Sequence, residues 1–388
     1  MERRIRILHV AQAAGGVDRY IRMLFKYMDH DKFENILVCS HDFKGEDYNG
    51  LADGFEHVDM QREIGKSDLA AIKEVRKFIG KYKPDIVYGH SSKAGAIARM
   101  ANIGMKSADG ERIKCIYNPH GWAFNMKCSR KKQMLYTAIE KIAAPFCDKI
   151  VCISEAEKKS ALDRKICGEE KLQVILNGVD IEEYEQREAA GLTEVSRESL
   201  GIPGDAFIVG MVGRITKQKA PDVFIKAAKL IKKKIPEAYF IIVGDGTYQN
   251  RVKEYAAKHG LADSLLITGW VENASDYIDL FDVALLLSRW EGFGLAIPEY
   301  MLAGKPVVAT RVDAIPSIIE DGKNGFLVDA EDAAGACDAV MRLYEDSGLR
   351  FNVINRGKIT VHERYDAKRV SKEHQTVFDA LYGLINSQ

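Results

Sequence analysis

The feature that most constrains the fold of this chain is the regular alternation of short apolar runs with segments of helical periodicity. Runs such as 85–88, 149–153, 207–212 and 239–243 are apolar along nearly their whole length, rather than at every second position. Strands of this kind are buried on both faces, as in parallel sheets covered by helices. The sequence therefore predicts an α/β protein built from doubly wound parallel sheets.

The same pattern divides the chain into two parts of similar size. A polar, glutamate-rich stretch that begins at residue 181 interrupts the strand rhythm, which restarts near residue 206. With 388 residues, the chain is long enough for two or three domains that each bury a core. We predict a first domain over 1–180, a linker over 181–204, a second domain over 205–366, and a last helix over 367–388 that continues the second domain or crosses back onto the first.

Composition excludes several classes of protein. The 56 Lys and Arg balance the 56 Asp and Glu, which excludes a protein that coats nucleic acid or membrane with its whole surface. Seven cysteines form an odd set without a CxxC pair, which argues against a disulfide framework and a zinc site. The N-terminus resembles a signal peptide, but Arg6, His9 and Gln12 interrupt its apolar stretch and favour a first β-strand. No stretch reaches the roughly 18 apolar residues of a transmembrane helix. We therefore expect a cytoplasmic protein with at most peripheral contact with the inner face of the membrane.

A glycine-containing segment with a carboxylate at each end, EGFGLAIPE, follows the predicted strand DVALLLS. Gly292 and Gly294 let the backbone approach a ligand closely, and Pro298 near a helix start leaves amide groups directed outward to meet an anion. Glu291 and Glu299 can bind neutral hydroxyls. The alternative interpretation is a turn with two solvated acids.

Two further loops at predicted strand ends suit an anionic ligand. Arg214 and Lys219 stand in GRITKQK, where a planar guanidinium and an ammonium suit a diphosphate. Gly244 and Gly246 follow the next strand and allow close approach of the backbone. Each loop by itself also fits a solvated surface, but three such loops at the strand ends of one domain indicate a common ligand.

These segments resemble the retaining GT-B glycosyltransferases of family 4. The resemblance rests on EGFGLAIPE as the E-x7-E motif, GRITKQK as the GR…K pair, the double glycine of AAGGVDR, NGVD before the linker, and AGKPVVAT. It covers nearly the whole chain, and HSSKAGAIAR and NPHGWAF resemble enzymes that assemble capsule, exopolysaccharide or O-antigen repeat units. The resemblance implies the GT-B fold, in which two Rossmann-like domains face each other across a cleft.

The resemblance also implies a role for each matching residue. The catalytic residues would be His120, Glu291, Arg214 and Lys219. Within the donor site, Glu299 would bind the ribose, Arg214 and Lys219 the diphosphate, and Glu291 the sugar hydroxyls. The whole donor-binding set comprises Gly15, Gly16, Arg214, Lys219, Gly244, Gly246, Val271, Glu291, Gly292, Phe293, Gly294, Leu295 and Glu299. One departure is Ala220, because the family usually has glycine after the lysine.

Candidates for the acceptor lie in the first domain. His90 and His120 both follow predicted strands, where a lone histidine is more often a satisfied structural residue than a ligand contact. The NPHGW context favours function for His120, which the resemblance places near the anomeric carbon of the donor. His90 and Lys93 are predicted to bind the acceptor, and Lys93 would contact an anionic one.

We expect no metal and no cofactor. The one D-x-D sequence, Asp29-His30-Asp31, lies at a predicted helix end and is interpreted as a polar turn. Arg214 and Lys219 would instead stabilise the charge that develops on a leaving diphosphate. The sequence therefore predicts a metal-independent enzyme.

A basic cluster formed by Lys127, Arg130, Lys131 and Lys132 precedes the amphipathic segment 134–146. It fits a solvated helix start, or a basic edge that meets anionic lipid with roughly 1 kcal/mol per residue. The second interpretation would suit an acceptor linked to a lipid diphosphate, with weak and salt-sensitive binding.

The function predicted for this chain is transfer of a sugar from a nucleotide diphosphate sugar, expected to be UDP-linked. The acceptor would be lipid-linked or an oligosaccharide, with retention of configuration, in cell-surface polysaccharide biosynthesis. No nucleic-acid partner is expected. Two alternatives stay open at this point: a sugar-nucleotide 2-epimerase of the same architecture, and a nucleotide-sugar-binding protein without activity.

Overall fold

The computed structural model describes residues 3–61, 65, 67–191 and 195–383, and it divides the chain into two compact units. The first unit comprises Met1–Asn177 and Ala367–Gln388, and the second comprises Gly178–Asp366. The division thus falls three residues before the predicted end of the first domain. The predicted linker, 181–204, belongs to the second unit, and its residues 192–194 lie outside the described residues.

The first unit is built on a parallel sheet of seven strands within the described residues. The strands are β1 (Ile5–Ala11), β2 (Phe33–Cys39), β3 (Gly54–His57), β4 (Ile86–His90), β5 (Lys114–Asn118), β6 (Lys149–Cys152) and β7 (Leu172–Val174). Their order is β3-β2-β1-β4-β5-β6-β7, so the direction of chain progress reverses between β1 and β4. Open parallel sheets bind ligands at such a reversal, beyond the carboxyl ends of the strands.

Helices cover both faces of this sheet. They are α1 (Gly16–Lys26), α2 (Ser67–Tyr82), α3 (Ser92–Asn102), α4 (Arg130–Ala143) and α5 (Glu155–Asp163). Neighbouring residues of β1 belong to different cores, because Ile7 packs in the cluster with Leu37 and Tyr88, whereas Leu8 packs in the cluster with Val87. The strands are therefore apolar at consecutive positions, as predicted. Ser154 caps α5, because its Oγ accepts a hydrogen bond from the Glu157 amide at 3.1 Å.

The second unit repeats this architecture. Its six parallel strands within the described residues are β8 (Phe207–Val212), β9 (Ala238–Val243), β10 (Leu265–Ile267), β11 (Val283–Leu286), β12 (Val307–Thr310) and β13 (Phe326–Val328). The order β10-β9-β8-β11-β12-β13 places the reversal between β8 and β11. Both units therefore have the predicted doubly wound α/β fold.

The helices of the second unit begin inside the predicted linker. They are α6 (Ile181–Ala189), α7 (Pro221–Lys234), α8 (Gln249–Lys258), α9 (Ala274–Ile278), α10 (Ala296–Leu302), α11 (Ile315–Ile318), α12 (Ala333–Glu345) and α13 (Ser347–Arg364). α6 forms because Asp180 caps its first turn, with Oδ1 accepting from the Glu183 amide at 2.9 Å. The segment predicted as a linker therefore begins with a helix.

The last helix, α14 (Ala367–Tyr382), returns to the first unit. Val370 and Phe378 are buried in the same cluster as Phe33, and the Phe33 and Phe378 rings lie 5.8 Å apart. Residues 384–388 of the predicted last helix lie outside the described residues. Within the described part of the chain, no helix has the length and apolar character needed to cross a bilayer.

Candidate active site

The sequence motifs of the second unit lie where its strand order reverses. The GRITKQK loop follows β8, and the segment 291–299 follows the neighbouring strand β11. Lys219 Nζ lies 2.5 Å from Glu291 Oε1, and both side chains are largely buried. The same oxygen accepts a hydrogen bond from Ser288 Oγ at 2.6 Å. The structure therefore joins two residues that are 72 positions apart and that the sequence predicted for one site.

Arg289 fixes the two loops against each other. Its guanidinium makes a bidentate pair with Asp222, at 3.0 and 2.7 Å, and also bonds Glu331. Its backbone amide donates to the Gln218 carbonyl at 2.8 Å, and the Gln218 side chain donates to the Trp290 carbonyl at 3.1 Å. The hydrogen bonds to Glu331 and Asp222 raise the pKa of Arg289 above its ordinary value. This arrangement holds the cation loop (GRITKQK, residues 213–219) in a fixed position.

Arg214 differs from Lys219 in its surroundings. Its guanidinium is exposed and makes no ion pair or hydrogen bond with any residue that the structure describes. The site thus contains a cation that is neutralised by Glu291 and a cation that is open to solvent. An anionic ligand at this position would meet Arg214 without first breaking a contact.

Two predicted glycines, Gly244 and Gly246, pack against this loop. A β-carbon at Gly244 would lie 2.4 Å from the Gly213 carbonyl oxygen, and one at Gly246 would lie 2.4 Å from the Ile215 carbonyl oxygen. Both glycines also have positive φ, 131° and 154°. The close approach that they permit is therefore to a neighbouring loop of the protein. Val271, also predicted for the donor site, lies two residues beyond Gly269, which forms a bridge with Gly244.

In the segment 291–299, backbone and side chains have different surroundings. Gly294 has φ 92°, a conformation that favours glycine. Phe293 is buried and packs its ring against Tyr365, with centroids 5.6 Å apart, so only its backbone remains for a ligand. The Glu291 amide donates to Asp313 Oδ2 at 2.7 Å, a contact that the sequence did not indicate. The other predicted donor residues of this segment are half-buried: Gly292, Leu295 and Glu299.

Ala220, the departure from the family pattern, has a left-handed backbone with φ 47° and ψ 51°. It immediately precedes α7, where the chain turns from the cation loop into the helix. Glycine adopts this conformation without steric penalty, which explains why glycine is usual at this position. The loop geometry is thus retained in this chain with alanine.

In the first unit, the predicted residues lie near the reversal between β1 and β4. Gly15 precedes α1 with φ 98° and has open space around its α-carbon, and Gly16 begins the helix. His120 follows β5, with φ 50° and an amide that donates to Asn118 Oδ1 at 2.9 Å. The residue as a whole is half-buried, and desolvation lowers the pKa of His120 to about 3. The imidazole is therefore neutral at neutral pH.

The predicted acceptor residues have other partners. His90 is fully buried, and its Nδ1 lies 3.1 Å from His120 Nε2. Its ring therefore has no exposed surface for the direct contact with an acceptor that the sequence predicted. Lys93 Nζ lies 2.8 Å from Asp68 Oδ1, so its charge is already paired.

The D-x-D sequence forms a turn. Asp29 Oδ1 accepts from the amides of Asp31 and Lys32 at 3.0 and 3.2 Å, which confirms the interpretation as a polar turn. Among the residues that the structure describes, no group of three or more His, Cys, Asp or Glu side chains is arranged to hold a metal ion.

Each half of the chain matches a known family. Residues 14–183 match the family model described as Glycosyltransferase Family 4, and residues 193–360 match the model described as Glycosyl transferases group 1. The first range contains the predicted Gly15, His90 and His120. The second contains the complete cation loop and the segment 291–299.

Similar proteins cover nearly the whole chain. The UDP-Gal:alpha-D-GlcNAc-diphosphoundecaprenol alpha-1,3-galactosyltransferase of Escherichia coli is 29% identical over 377 residues, 95% of this chain and 95% of that protein. An uncharacterized 41.2 kDa protein in the cps region of Klebsiella pneumoniae is 31% identical over 84% of this chain and 87% of that protein.

A solved structure has the same fold. Anabaena Alr3699/HepE, crystallised with UDP and glucose, is similar with a TM-score of 0.81 over 97% of this chain and 100% of that chain, at 20% identity. Both doubly wound units therefore have the fold of GT-B enzymes. The fold, the two family matches and the relatives together establish that this chain belongs to the GT-B glycosyltransferases of family 4.

Proposed function

We propose that this glycosyltransferase of cell-surface polysaccharide biosynthesis transfers a sugar from a UDP-sugar to a lipid-linked or oligosaccharide acceptor with retention. The observation that carries the proposal is the buried Lys219–Glu291 pair at the reversal of the second sheet, in the same loop as Arg214, which has no partner among the described residues. The UDP donor is supported by the name of the E. coli relative and by the UDP bound to HepE. The epimerase alternative is not favoured, because that relative is a transferase.

The residues of the second unit suit a leaving diphosphate. As the bond between the anomeric carbon and the phosphate oxygen breaks, negative charge grows on the diphosphate. Arg214 and Lys219 stabilise this charge as cations that are already in place, which is the most effective form of electrostatic catalysis. Glu291, held by Ser288 and by its own amide, accepts hydrogen bonds from the sugar hydroxyls. These cations fill the role of a metal ion, so we propose a metal-independent reaction.

Retention follows from attack on the face that the diphosphate leaves. The acceptor oxygen forms its bond to the anomeric carbon as the phosphate oxygen departs, and that phosphate oxygen takes the proton of the acceptor hydroxyl. This same-face mechanism assigns no nucleophilic role to Glu291, whose Oε1 is already bonded by Lys219 and Ser288. The proposal therefore needs no covalent intermediate.

α4 supplies a surface for a membrane-bound acceptor. Met134, Leu135 and Ile142 point into solvent, and Ile142 is 72% exposed. The acidic residue of this helix, Glu140, is buried against Arg99 at 3.0 Å, so the exposed face has no negative charge. Exposed basic residues border the apolar side chains: Lys127, Arg130, Lys131, Lys132 and Lys141. Apolar and basic side chains on one face suit a helix that lies in the headgroup region of an anionic leaflet.

The donor is tested with a panel of nucleotide sugars, scored by thermal shift and by slow hydrolysis. A ligand at 100 times its Kd adds about 2.7 kcal/mol to the stability of the protein that binds it. We expect a UDP-sugar to stabilise the protein most, and NMR of the product linkage to show the anomer of the donor. Stabilisation by no UDP-sugar, or an inverted anomer, would contradict the proposal.

The role of the cations is tested separately. Activity should persist in excess EDTA, and Arg214→Ala should lower kcat at least ~100-fold, as for loss of one preorganised donor. Arg342→Ala is the control, because this exposed arginine lies over the ring of Phe326 at the start of β13, the opposite end of the strands from the site. Loss of activity in EDTA with rescue by Mg²⁺ or Mn²⁺ would contradict the metal-independent mechanism.

A further inference from the structure

Three histidines form a continuous row inside the first unit. His9 lies within β1, His90 ends β4, and His120 follows β5. His9 Nδ1 lies 3.0 Å from His90 Nε2, and His90 Nδ1 lies 3.1 Å from His120 Nε2. Neighbouring rings are nearly parallel, at 12° and 28°. His9 and His90 are fully buried, whereas His120 is partly exposed, so the row leads from the core to the surface.

Asn35 in β2 ends the row on the inside. Its side-chain oxygen lies 3.3 Å from His9 Nε2, and its buried side-chain nitrogen has no partner among the described residues. An amide oxygen only accepts hydrogen bonds, so His9 must carry its proton on Nε2. A neutral imidazole has one donor and one acceptor, so His90 and His120 must then also carry theirs on Nε2. The amide thus determines the proton positions of the whole row.

The outer end of the row is His120 Nδ1. With Nε2 protonated, Nδ1 has a free electron pair, and it makes no hydrogen bond to any described residue. The ring is held in place by the edge of Tyr20, with centroids 4.6 Å apart, and by the bond between the His120 amide and Asn118. The position of the acceptor atom is therefore fixed by groups of this unit.

The rings stay neutral, so the row controls tautomers rather than charge. Burial lowers the pKa of His9 to about 3 and keeps the pKa of His90 well below its ordinary value. The other titratable groups around the row are Tyr20, Tyr88, His374 and Glu157. Tyr20 and Tyr88 bond His374 Nε2 rather than the rings of the row, at 2.8 and 3.0 Å.

We propose that Asn35, His9 and His90 are positioning residues that fix the tautomer of His120, so that its Nδ1 accepts a hydrogen bond from a sugar hydroxyl. The functional half of this inference rests on the proposed function, in which His120 contacts a substrate. A ring with mixed tautomers would bind that hydroxyl in two orientations, one accepting and one donating. A single tautomer admits only one orientation.

The tautomers are measured by NMR of the full-length protein with ¹⁵N-labelled histidine. We expect protonated Nε2 and unprotonated Nδ1 on His9, His90 and His120. His90→Leu removes the acceptor for His120 Nε2 and should give mixed tautomers at His120. His90→Asn places an amide oxygen near the former Nδ1 and should restore the single tautomer. His374→Gln is the matched control, because it removes a buried histidine of the same core outside the row.

Activity gives an independent measurement. We expect His90→Leu to lower kcat/KM roughly tenfold, the effect of one hydrogen bond, and His90→Asn to recover most of it. A protonated Nδ1 on wild-type His120, or an unchanged tautomer in His90→Leu, would overturn the proposal. Asn35→Leu makes the same test from the inner end if His90→Leu does not fold. If wild-type His120 has the expected tautomer but the protein transfers no sugar, the result would count against the proposed function and not against the tautomers assigned to the three histidines.

Discussion

At the scale of single residues, Ala220 illustrates a conflict between side chain and backbone. A left-handed conformation costs an L-residue about 1–2 kcal/mol, and Ala220→Gly removes this cost. The substitution also removes a buried methyl group, which lowers the free energy of unfolding by about 0.8 kcal/mol. Glycine increases the conformational entropy of the unfolded chain, which lowers the free energy of unfolding by a further ~0.4–1 kcal/mol. We expect the free energy of unfolding to change by less than about 1 kcal/mol.

The control for this prediction is Ala228→Gly, at an equally buried position in the interior of α7. Here the backbone is helical, so glycine gains nothing and costs about 1 kcal/mol in helix propensity in addition to the methyl group. Urea denaturation measures both variants. Equal destabilisation of the two would contradict the strain at Ala220.

Glu299, proposed to bind the ribose, gives a second prediction at this scale. Glu299→Ala removes an acceptor for two neighbouring hydroxyls and should weaken UDP binding by about 1–3 kcal/mol. Titration calorimetry measures the affinity. Glu237→Ala is the control, because Glu237 precedes β9 and therefore lies at the opposite end of the strands from the site. Unchanged affinity for UDP in Glu299→Ala would contradict the ribose assignment.

At the scale of secondary structure elements, α4 carries the prediction of membrane binding. Lys131→Glu with Lys132→Glu should reduce binding to vesicles that contain phosphatidylglycerol at least tenfold, since each basic residue contributes roughly 1 kcal/mol. Lys233→Glu with Lys234→Glu changes the net charge equally on exposed positions of α7 and should have little effect. Co-sedimentation at low and high salt measures both. Equal loss in the two pairs would indicate a response to net charge and not to α4.

The elements that the sequence did not predict are short or mostly polar. Apolar runs predicted strands such as β4, β6, β8 and β9, but not β3, whose sequence GFEH has one large apolar residue and whose positions are half-exposed or exposed. α6 buries Ile181 and is otherwise polar, so its segment resembled a linker. The sequence did not indicate the row of histidines, because His9 stands in an apolar run and its neighbour in the row, His90, lies 81 positions away.

The same limit applies to the site. Arg214, Lys219 and Glu291 were found because they stand in short motifs with a chemical reason for each residue. Arg289 follows a predicted strand in the same way, but its partners Asp222 and Glu331 lie 67 and 42 positions away. A local sequence pattern cannot indicate contacts between residues so far apart, so the partners of Arg289 are visible only in the folded structure.

At the scale of the whole molecule, the two units should respond differently to acid. The first unit contains four histidines with lowered pKa, the buried His9, His90 and His374 and the half-buried His120. In the unfolded chain histidines have a pKa near 6.5. Below about pH 6.5 the unfolded state therefore binds protons that the folded state does not, and the free energy of unfolding falls. Burial raises the pKa of Glu157 to about 7, which opposes this effect because the folded state protonates it first. The net difference of about three protons should destabilise the first unit by about 5 kcal/mol between pH 6.5 and 5.

Urea denaturation at about pH 7 and pH 5 checks this expectation, with the fluorescence of buried Trp122 as the reporter of the first unit. The Trp270→Phe, Trp290→Phe background removes the signals of the second unit. His374→Gln should reduce the pH dependence by about one proton, or 1.4 kcal/mol per pH unit. His362→Gln, at a partly exposed position of the second unit, should leave it unchanged. A midpoint that does not move with pH would contradict neutral burial of the histidines.

The return of α14 to the first unit has a consequence for protein synthesis. Translation proceeds at about 5–20 residues per second, so the ribosome makes the whole second unit over roughly ten seconds or more before α14 appears. During that time Phe33 lacks Phe378, and Tyr20 and Tyr88 lack His374. Part of the core of the first unit therefore stays uncovered until the second unit and α14 have been synthesised. A chain truncated before α14 would therefore contain every residue of the second unit but lack part of the core of the first.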